Sequence, residues 1–325
     1  MEKGYTLITG ATGFIGSHVA KRLLQDGTWP VIAIVRRGRG YKNTADLERR
    51  GTVLVRGRFY DPDLLDRLLK SFPIRNVIHI AALTGEGKGS RKDYNDVNVR
   101  GTDVLLSVSH RNRVDKFIFC SSVGVFGTIP VKLPADATTQ VNPDNLYHRS
   151  KHIAEQRVYD FIDRGLNAYI VRPTITYGKG DTGFPATLVR LVRTRRLILP
   201  FQKNRIHLLS VHGLAEMFLK LVTVHSVDNR VFIAADEGPV VLRDIVNIIH
   251  SFYFGRDYPR FLKMPAVVFD AFEKISRITH NKRWLGRIQR ISEDWFFNTR
   301  STDWLIGFRP ANTHREFLRY LSALA

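Results

Sequence analysis

The chain has 325 residues, of which 44% are hydrophobic, which is enough for one large α/β domain or for a large domain with a smaller one attached. Its single cysteine excludes an internal disulfide, its histidines lack metal-ligand spacing, and no apolar run approaches the ~18 residues of a membrane span. We therefore expect a soluble, cytoplasmic protein without a structural metal. The net charge of +20 fits nucleic acid, an anionic membrane or an anionic small substrate, and charge alone does not choose among these partners.

The N-terminal stretch predicts a strand, a glycine-rich turn and a helix. An apolar run over residues 5–9 leads into Gly10, Gly13 and Gly16, and a helical pattern follows from Phe14 to Gln25. Glycine is needed where a backbone takes positive φ or approaches a ligand closely, and a helix N-terminus presents unpaired N–H groups to an anion such as pyrophosphate. This order of elements predicts dinucleotide binding.

The next apolar run, Val31 to Val35, predicts a buried parallel strand, and Arg36, Arg37 and Arg39 follow it. In a dinucleotide-binding fold the end of the second strand lies beside the adenosine ribose. A carboxylate there would bind the 2′-hydroxyl of NAD and repel a 2′-phosphate. Because this chain has arginines and no acid at that point, we predict that NADP(H) is the preferred cofactor, with NAD(H) as the alternative.

Strand and helix patterns continue to alternate, which predicts a Rossmann-type α/β fold with a doubly wound parallel sheet. The predicted elements are Thr52 to Val55, Asp61 to Ser71, Asn76 to Ile80, Asp93 to His110, Lys116 to Cys120 and Asn167 to Arg172. Beyond them the alternation loosens. We predict a dinucleotide-binding domain over 1–178 and a smaller C-terminal α+β substrate lobe over 179–325, some of whose segments return to the sheet. The cleft between the two is the natural substrate site.

Two segments carry groups suited to catalysis. A strand ending at Ser121 and Ser122 delivers hydroxyls to the sheet edge where ligands bind in open α/β folds. Tyr147 and Lys151 lie four residues apart in a predicted helix and therefore share a face. An ammonium beside a phenol lowers the phenol pKa, so we expect Tyr147 to exchange a proton with a carbinol or carbonyl oxygen near neutral pH.

In this chain order the motifs resemble the extended short-chain dehydrogenase/reductases, the NAD-dependent epimerase/dehydratase family, whose members act mainly on nucleotide sugars. Besides the glycine turn and the Tyr147 and Lys151 pair, the resemblance rests on 77–82 (VIHIAA), 98–102 (NVRGT), 121–127 (SSVGVFG), 171–178 (VRPTITYG) and 305–310 (LIGFRP).

The resemblance implies roles for individual residues. Tyr147 would be the general acid/base, Lys151 would hold the nicotinamide ribose, and Ser122 would bind the substrate oxygen. The implied cofactor-binding residues are Gly10, Gly13, Phe14, Ile15, Gly16, Arg36, Arg37, Ala81, Ala82, Asn98, Tyr147, Lys151 and Pro173, and the implied substrate-binding residues are Thr84, Ser122, Val123 and Arg205. A homodimer is implied by resemblance as well.

The chain departs from the family at two positions that bear on its chemistry. Dehydratases of the family place an acidic pair directly after the catalytic hydroxyl, whereas Val123 and Gly124 follow Ser122 here. A 4,6-dehydratase is therefore disfavoured. Relatives commonly have Gly-Asp near the adenine, where this chain has Gly57 and Arg58.

Two further segments are interpreted as structural. Residues 190–205 contain six basic and no acidic residues, a pattern typical of a solvated helix face and loop. Residues 264–283 combine helical apolar spacing with flanking basic residues. We expect a lobe helix packed on the core there, with peripheral membrane contact as the alternative.

The leading functional hypothesis is an NADP(H)-dependent oxidoreductase acting at C4 of a nucleotide-linked sugar, by 4-keto reduction or 4-epimerisation. One alternative is reduction of a non-sugar ketone of steroid or flavonoid type. The other is a regulatory or RNA-binding member of the fold, which is disfavoured because the Tyr147 and Lys151 pair is present and no motif of paired stacking aromatics occurs.

Overall fold

The computed structural model describes residues 4–36, 43–85, 88–225, 227–259, 263–279, 282–299 and 305–325. Its strands are β1 (Tyr5–Thr9), β2 (Val31–Val35), β3 (Val53–Arg56), β4 (Ile74–His79), β5 (Lys116–Cys120), β6 (Ala168–Pro173), β7 (Ile175–Tyr177), β8 (Leu199–Pro200), β9 (Arg205–Ile206), β10 (Leu208–Ser210), β11 (Val231–Ala234), β12 (Val240–Val241) and β13 (Lys263–Met264). Seven of them form a parallel sheet in the order β11–β6–β5–β4–β1–β2–β3. Strands β2, β5, β6 and β11 are buried along their whole length, as expected for a sheet covered on both faces.

The helices are α1 (Phe14–Asp26), α2 (Thr44–Arg49), α3 (Pro62–Ser71), α4 (Arg91–Tyr94), α5 (Gly101–Arg111), α6 (Leu146–Asp163), α7 (Phe184–Arg193), α8 (Val211–Thr223), α9 (Leu242–Phe254), α10 (Ala266–Ile278), α11 (Lys282–Ser292) and α12 (Thr313–Ser322). Helices α1 and α8 pack on one face of the sheet, and α3, α5 and α6 pack on the other. Within the described residues no helix is both long enough and apolar enough to cross a bilayer.

The predicted fold class is confirmed, and β1, β2 and β5 have the predicted bounds. The region predicted as one helix from Asp93 to His110 is interrupted: α4 leads into a π-helical turn over Asn95–Arg100, and α5 follows. Past residue 178 the chain adds helix α8 to one face of the main sheet and strand β11 to its edge. The division into two domains at residue 178 stays a prediction. The main sheet contains strands from both sides of that residue.

The C-terminal part has its own apolar core. Helices α7, α9 and α12 surround the short pairs β7 with β10 and β9 with β12. Buried Asp236 ties these pieces together, because its carboxylate accepts hydrogen bonds from the Ser210 backbone N–H (2.9 Å), the Tyr177 hydroxyl (2.8 Å) and the Thr313 hydroxyl (3.0 Å). Burial raises the pKa of Asp236 to about 6, although these three donors oppose the shift.

A buried ion pair fixes α6 on the sheet. The Arg172 guanidinium of β6 makes two hydrogen bonds to the Glu155 carboxylate of α6, at 2.9 and 2.7 Å, and both side chains are almost completely excluded from solvent. Two parallel bonds from one guanidinium restrict both the spacing and the rotation of the helix. Since α6 also carries Tyr147 and Lys151, this pair positions the groups suited to catalysis.

The substitution Glu155→Gln is expected to lower the free energy of unfolding by about 3 kcal/mol, because it leaves the buried Arg172 charge without its partner. Urea unfolding followed by circular dichroism measures the change. The matched control is Asp160→Asn on the same helix, which breaks the exposed Arg157–Asp160 pair and should cost less than about 1 kcal/mol. Equal losses in the two variants would contradict the structural role of the buried pair.

Candidate active site

The glycine turn brings three backbone segments into direct contact. Gly10 has φ +77°, and a Cβ there would lie 2.7 Å from the Ala81 backbone nitrogen. A Cβ on Gly16 would lie 2.1 Å from the carbonyl oxygen of Gly10. Neither distance is compatible with a side chain, so both glycines are required by the packing of β1, β4 and α1. The N-terminus of α1, which begins at Phe14, consequently opens at the sheet edge.

A cleft of about 1910 Å³ runs along the carboxyl ends of β1, β2, β4, β5 and β6 and is closed on another side by α11. The predicted site residues that line it are Gly10, Gly13, Phe14, Ile15, Gly16, Arg36, Ala81, Ala82, Thr84, Ser122, Tyr147, Lys151 and Pro173. Groups from five separate strand ends thus share one cavity, as open parallel sheets arrange their ligand sites. Arg37 lies outside the described residues.

One end of the cleft is strongly basic. Arg36, Arg56, Arg58 and Arg67 all line it, next to the ends of β2 and β3. Asp61 also lines this end, and its carboxylate accepts a hydrogen bond from the Leu64 backbone N–H at the start of α3. The basic groups fit an anion with more than one phosphate.

A buried polar chain orders the backbone beside the glycine turn. The Thr9 hydroxyl lies 2.7 Å from His79 Nδ1 and accepts a hydrogen bond from the Ala81 N–H, while His79 Nε2 lies 2.9 Å from the Thr102 hydroxyl. Because the Thr102 hydroxyl donates to the Asn98 carbonyl at 2.6 Å, His79 Nε2–H is the donor to Thr102. Burial lowers the pKa of His79 well below its ordinary value and keeps the ring neutral.

Asn98 acts on the cleft through its neighbours and does not line it. Its side-chain amide accepts from the Leu83 N–H (2.7 Å) and donates to the Leu83 carbonyl (3.0 Å) and the Ser150 hydroxyl (2.9 Å). The π-helical turn places this amide between the loop after β4 and helix α6. Asn98 is therefore a positioning residue for Leu83, which does line the cleft.

Lys151 is buried at the cleft floor. Its ammonium donates a 2.6 Å hydrogen bond to the Cys120 carbonyl at the end of β5 and lies 4.4 Å from the centre of the Phe119 ring. Burial lowers the pKa of Lys151 to about 8, partly offset by Cys120 and Glu155. The amine is thus fixed at the strand end that leads directly to Ser122.

The Tyr147 phenol is shielded from solvent at the same place. Burial raises its pKa above the ordinary value, and a hydrogen bond with the Ser122 side chain lowers it only in part. The expectation of a lowered pKa is therefore wrong for the protein by itself, because burial outweighs the nearby amine and Lys151 is bonded to a backbone carbonyl instead. At neutral pH Tyr147 holds its proton, and Ser122 and Tyr147 both line the cleft.

Sequence reasoning missed a second polar pair on this wall. The Asp144 carboxylate accepts hydrogen bonds from the Thr128 N–H (2.8 Å) and from Nδ1 of His148 (2.6 Å), and all three residues line the cleft. Burial alone would raise the pKa of Asp144, but these bonds hold it well below its ordinary range. A Cβ on Gly124 would lie 2.2 Å from the His148 ring, which explains why this chain has no acidic side chain there.

Two of the predicted substrate residues lie elsewhere. The Arg205 guanidinium binds Asp294 at 3.1 Å, covers the Phe296 ring at 4.3 Å and is not among the cleft-lining residues. Val123 lines a side pocket of about 100 Å³ behind Ser122. The cleft wall opposite the sheet instead carries Arg287, Gln289 and Arg290 of α11, which are 140 or more residues from the Tyr147 motif and offered no local sequence signal.

The substitution Gly16→Ala is expected to weaken dinucleotide binding at least about ten-fold, because the new methyl group must displace the Gly10 carbonyl and with it the turn. Isothermal titration calorimetry with NADPH and NADH measures the change. Gly213→Ala is the matched control: it is the same substitution within helix α8, where a Cβ meets its nearest neighbour at 3.7 Å, and it should leave affinity unchanged. Normal affinity in Gly16→Ala would show that this turn does not contact the cofactor.

Comparisons with known proteins identify the family of the chain. Residues 6–234, from β1 through β11, match the NAD dependent epimerase/dehydratase family. A UDP-glucose 4-epimerase of Rhizobium meliloti (strain 1021) is 32% identical over 178 residues, which is 53% of this chain and 52% of the relative. The aligned region thus spans about half the length of that curated relative.

Two solved structures have the same fold over nearly the whole chain. The protein called gox2253 is 24% identical with a TM-score of 0.81, and the alignment covers 99% of this chain and 98% of that one. UDP-glucose 4-epimerase from Thermotoga maritima, solved with UDP-glucose, is 19% identical with a TM-score of 0.77 and 98% coverage of both chains. With the family match spanning more than half of its residues, this chain belongs to the NAD dependent epimerase/dehydratase family.

Proposed function

We propose that the protein is an NAD(P)-dependent oxidoreductase acting at C4 of a nucleotide-linked sugar, by 4-epimerisation or 4-keto reduction. The observation that carries this proposal is the convergence of Ser122, Tyr147 and Lys151 in the same cleft as the glycine turn. The Rhizobium relative and the Thermotoga structure are both described as UDP-glucose 4-epimerases, which supports the same chemistry here.

In the proposed reaction the bound nicotinamide supplies hydride transfer, and the chain supplies position and a proton. Ser122 orients the sugar oxygen toward Tyr147. The phenol, which holds its proton at neutral pH, protonates that oxygen when a carbonyl is reduced and takes the proton back when a carbinol is oxidised. Lys151, which lines the cleft, would bind the nicotinamide ribose through its ammonium and favour the phenolate in the oxidative direction.

The size and charge of the cleft support a diphosphate-bearing substrate. Typical small-molecule sites occupy roughly 300–1,000 Å³, so a cleft of about 1910 Å³ has room for a dinucleotide and a second ligand. Arg287 and Arg290 of α11 line the part of the wall that faces the sheet edge, and we assign them to the substrate diphosphate in place of Arg205. An uncharged steroid-like ketone would leave these arginines unused.

We further propose that NADPH is preferred over NADH. Arg36 directly follows β2 at the predicted ribose position, and Arg56 and Arg58 line the same end of the cleft. Their charges suit a 2′-phosphate, although the family as a whole is described as NAD dependent. We also propose a cytoplasmic homodimer, supported by the exposed Leu146 and Ile153 side chains on α6.

The substitution Tyr147→Phe is expected to reduce turnover at least about 100-fold and to leave dinucleotide affinity within about two-fold of the wild type, because it removes one transferable proton and little volume. Turnover of a panel of UDP-sugars and calorimetric titration of the cofactor measure the two effects. Tyr159→Phe, on the same helix but outside the cleft lining, removes the same atom and should be silent. Near-normal turnover in Tyr147→Phe would overturn the catalytic assignment.

The substitution Arg36→Asp is expected to lower the ratio of kcat/KM for NADPH to that for NADH about ten-fold or more, because the new carboxylate repels a 2′-phosphate and can accept from a 2′-hydroxyl. Steady-state kinetics with both cofactors give the ratio. The control Arg91→Asp makes the same change in net charge at an exposed position outside the cleft lining and should not alter it. An unchanged ratio in Arg36→Asp, or a wild-type preference for NADH, would refute the proposed NADPH specificity.

A further inference from the structure

The two sequence segments left without a function lie side by side in the fold. Strand β8, within the basic run 190–205, pairs in parallel with β13, at the start of the apolar segment 264–283. The Phe201 N–H continues this pairing with a 3.0 Å hydrogen bond to the Met264 carbonyl. The two strands lie more than sixty residues apart in the chain, so their adjacency is a property of the fold alone.

Helix α10 covers the core with only one side. It packs against α11 and buries Phe269 and Ser276, while its other side faces solvent. Val267, Ile275 and Ile278 on that side are 68%, 55% and 77% exposed, and their spacing of eight and three residues places them on one helical face. The helix expected to pack on the core therefore packs on α11 with one side and leaves its other side exposed.

The exposed apolar side chains are concentrated here. Fifteen large hydrophobic side chains are exposed in the described part of the chain. Six of them fall within residues 264–284, and two more, Ile198 and Phe201, flank β8. We call this the α10 surface, and its members are Ile198, Phe201, Met264, Val267, Phe272, Ile275, Ile278 and Trp284. An exposed apolar group of this kind marks an interaction site in a folded protein.

The charges around the α10 surface are mainly positive. Lys203 is exposed beside Phe201, Lys274 is exposed on α10, and Arg287 is exposed on α11, where it also lines the cleft. In the basic run the guanidinium groups of Arg193 and Arg195 lie over aromatic rings of α9 and remain exposed. The acidic residues nearby are Asp270, which is exposed, Glu273, which binds Arg277, half-buried Glu293, and Asp294, which binds Arg205.

We propose that the α10 surface docks the protein on a membrane that contains anionic lipids. The apolar side chains would enter the boundary between headgroups and acyl chains, and the surrounding lysines and arginines would bind lipid phosphates. A second copy of the chain fits less well, because pairing this face with itself brings two basic surfaces together in a protein of net charge +20. The surface adjoins the cleft through α11, which lines the cavity with Leu285, Gly286, Arg287, Gln289 and Arg290.

Vesicle flotation tests the proposal without reference to the catalytic function. The full-length protein is expected to float with vesicles of phosphatidylcholine mixed with phosphatidylglycerol and to stay largely unbound with phosphatidylcholine alone. The triple variant Val267→Glu, Ile275→Glu, Ile278→Glu should lose about ten-fold or more of its partitioning, because it places charge at the apolar boundary.

The matched control is Val131→Glu, Leu318→Glu, Leu324→Glu, which makes the same change in net charge at exposed apolar positions outside the α10 surface. It should retain partitioning within about two-fold. Equal losses of vesicle binding in both triple variants would show that net charge alone causes the loss and would overturn the proposal. A wild-type protein that does not float with the anionic vesicles would overturn it as well. A wild-type dimer that becomes monomeric only in the α10 triple variant, measured by sedimentation velocity, would assign the surface to a second copy instead.

Discussion

Close backbone packing at the carboxyl edge of the sheet is the constraint on which the site depends. The absence of a side chain on Gly10 allows β1 to reach the backbone of Ala81 after β4, and the absence of one on Gly16 allows α1 to begin directly on that turn. Parallel pairing then brings the ends of β5 and β6 to the same edge. Hydroxyl, phenol and ammonium groups that are far apart in the chain consequently face one cleft.

Helix α6 carries Tyr147 and Lys151 to that edge of the sheet, and several polar contacts determine its position. The Arg172–Glu155 pair holds its middle on β6, the Lys151 amine binds the Cys120 carbonyl of β5, and Asn98 reaches its first turns through Ser150. Each contact is buried, so loss of one partner leaves an unsatisfied group at a cost larger than that of an exposed contact. The same burial that makes the helix rigid also raises the pKa of its tyrosine and lowers that of its lysine.

Local sequence was sufficient for the elements with strong patterns. The β-branched residues of β1 and β2 and the aromatic residues of β5 predicted the bounds of these strands, and the glycine turn and the Tyr147 to Lys151 spacing predicted where the cleft lies. The sequence also predicted that C-terminal segments return to the sheet, without showing which strand does so. The remaining features depend on contacts between distant segments: the π-helical turn, the choice of β11 as the returning strand and the placement of α11 across the cleft. The pKa of Tyr147 was mispredicted because a four-residue spacing carries no information on burial or on competition from a backbone carbonyl.

The most direct test of the account is a single-turnover experiment with UDP-sugars that carry deuterium at C4. Purified protein loaded with NADP⁺ or NAD⁺ is mixed with each sugar and quenched, and the dinucleotide is recovered and weighed by mass spectrometry. Deuterium is expected in the reduced nicotinamide for at least one sugar while the turnover is in progress, and none in the Tyr147→Phe variant. Replacement of the C4 deuterium by solvent hydrogen in a converted sugar, with no reduced dinucleotide at any quench time, would contradict hydride transfer at C4, as would failure of the protein to bind either dinucleotide.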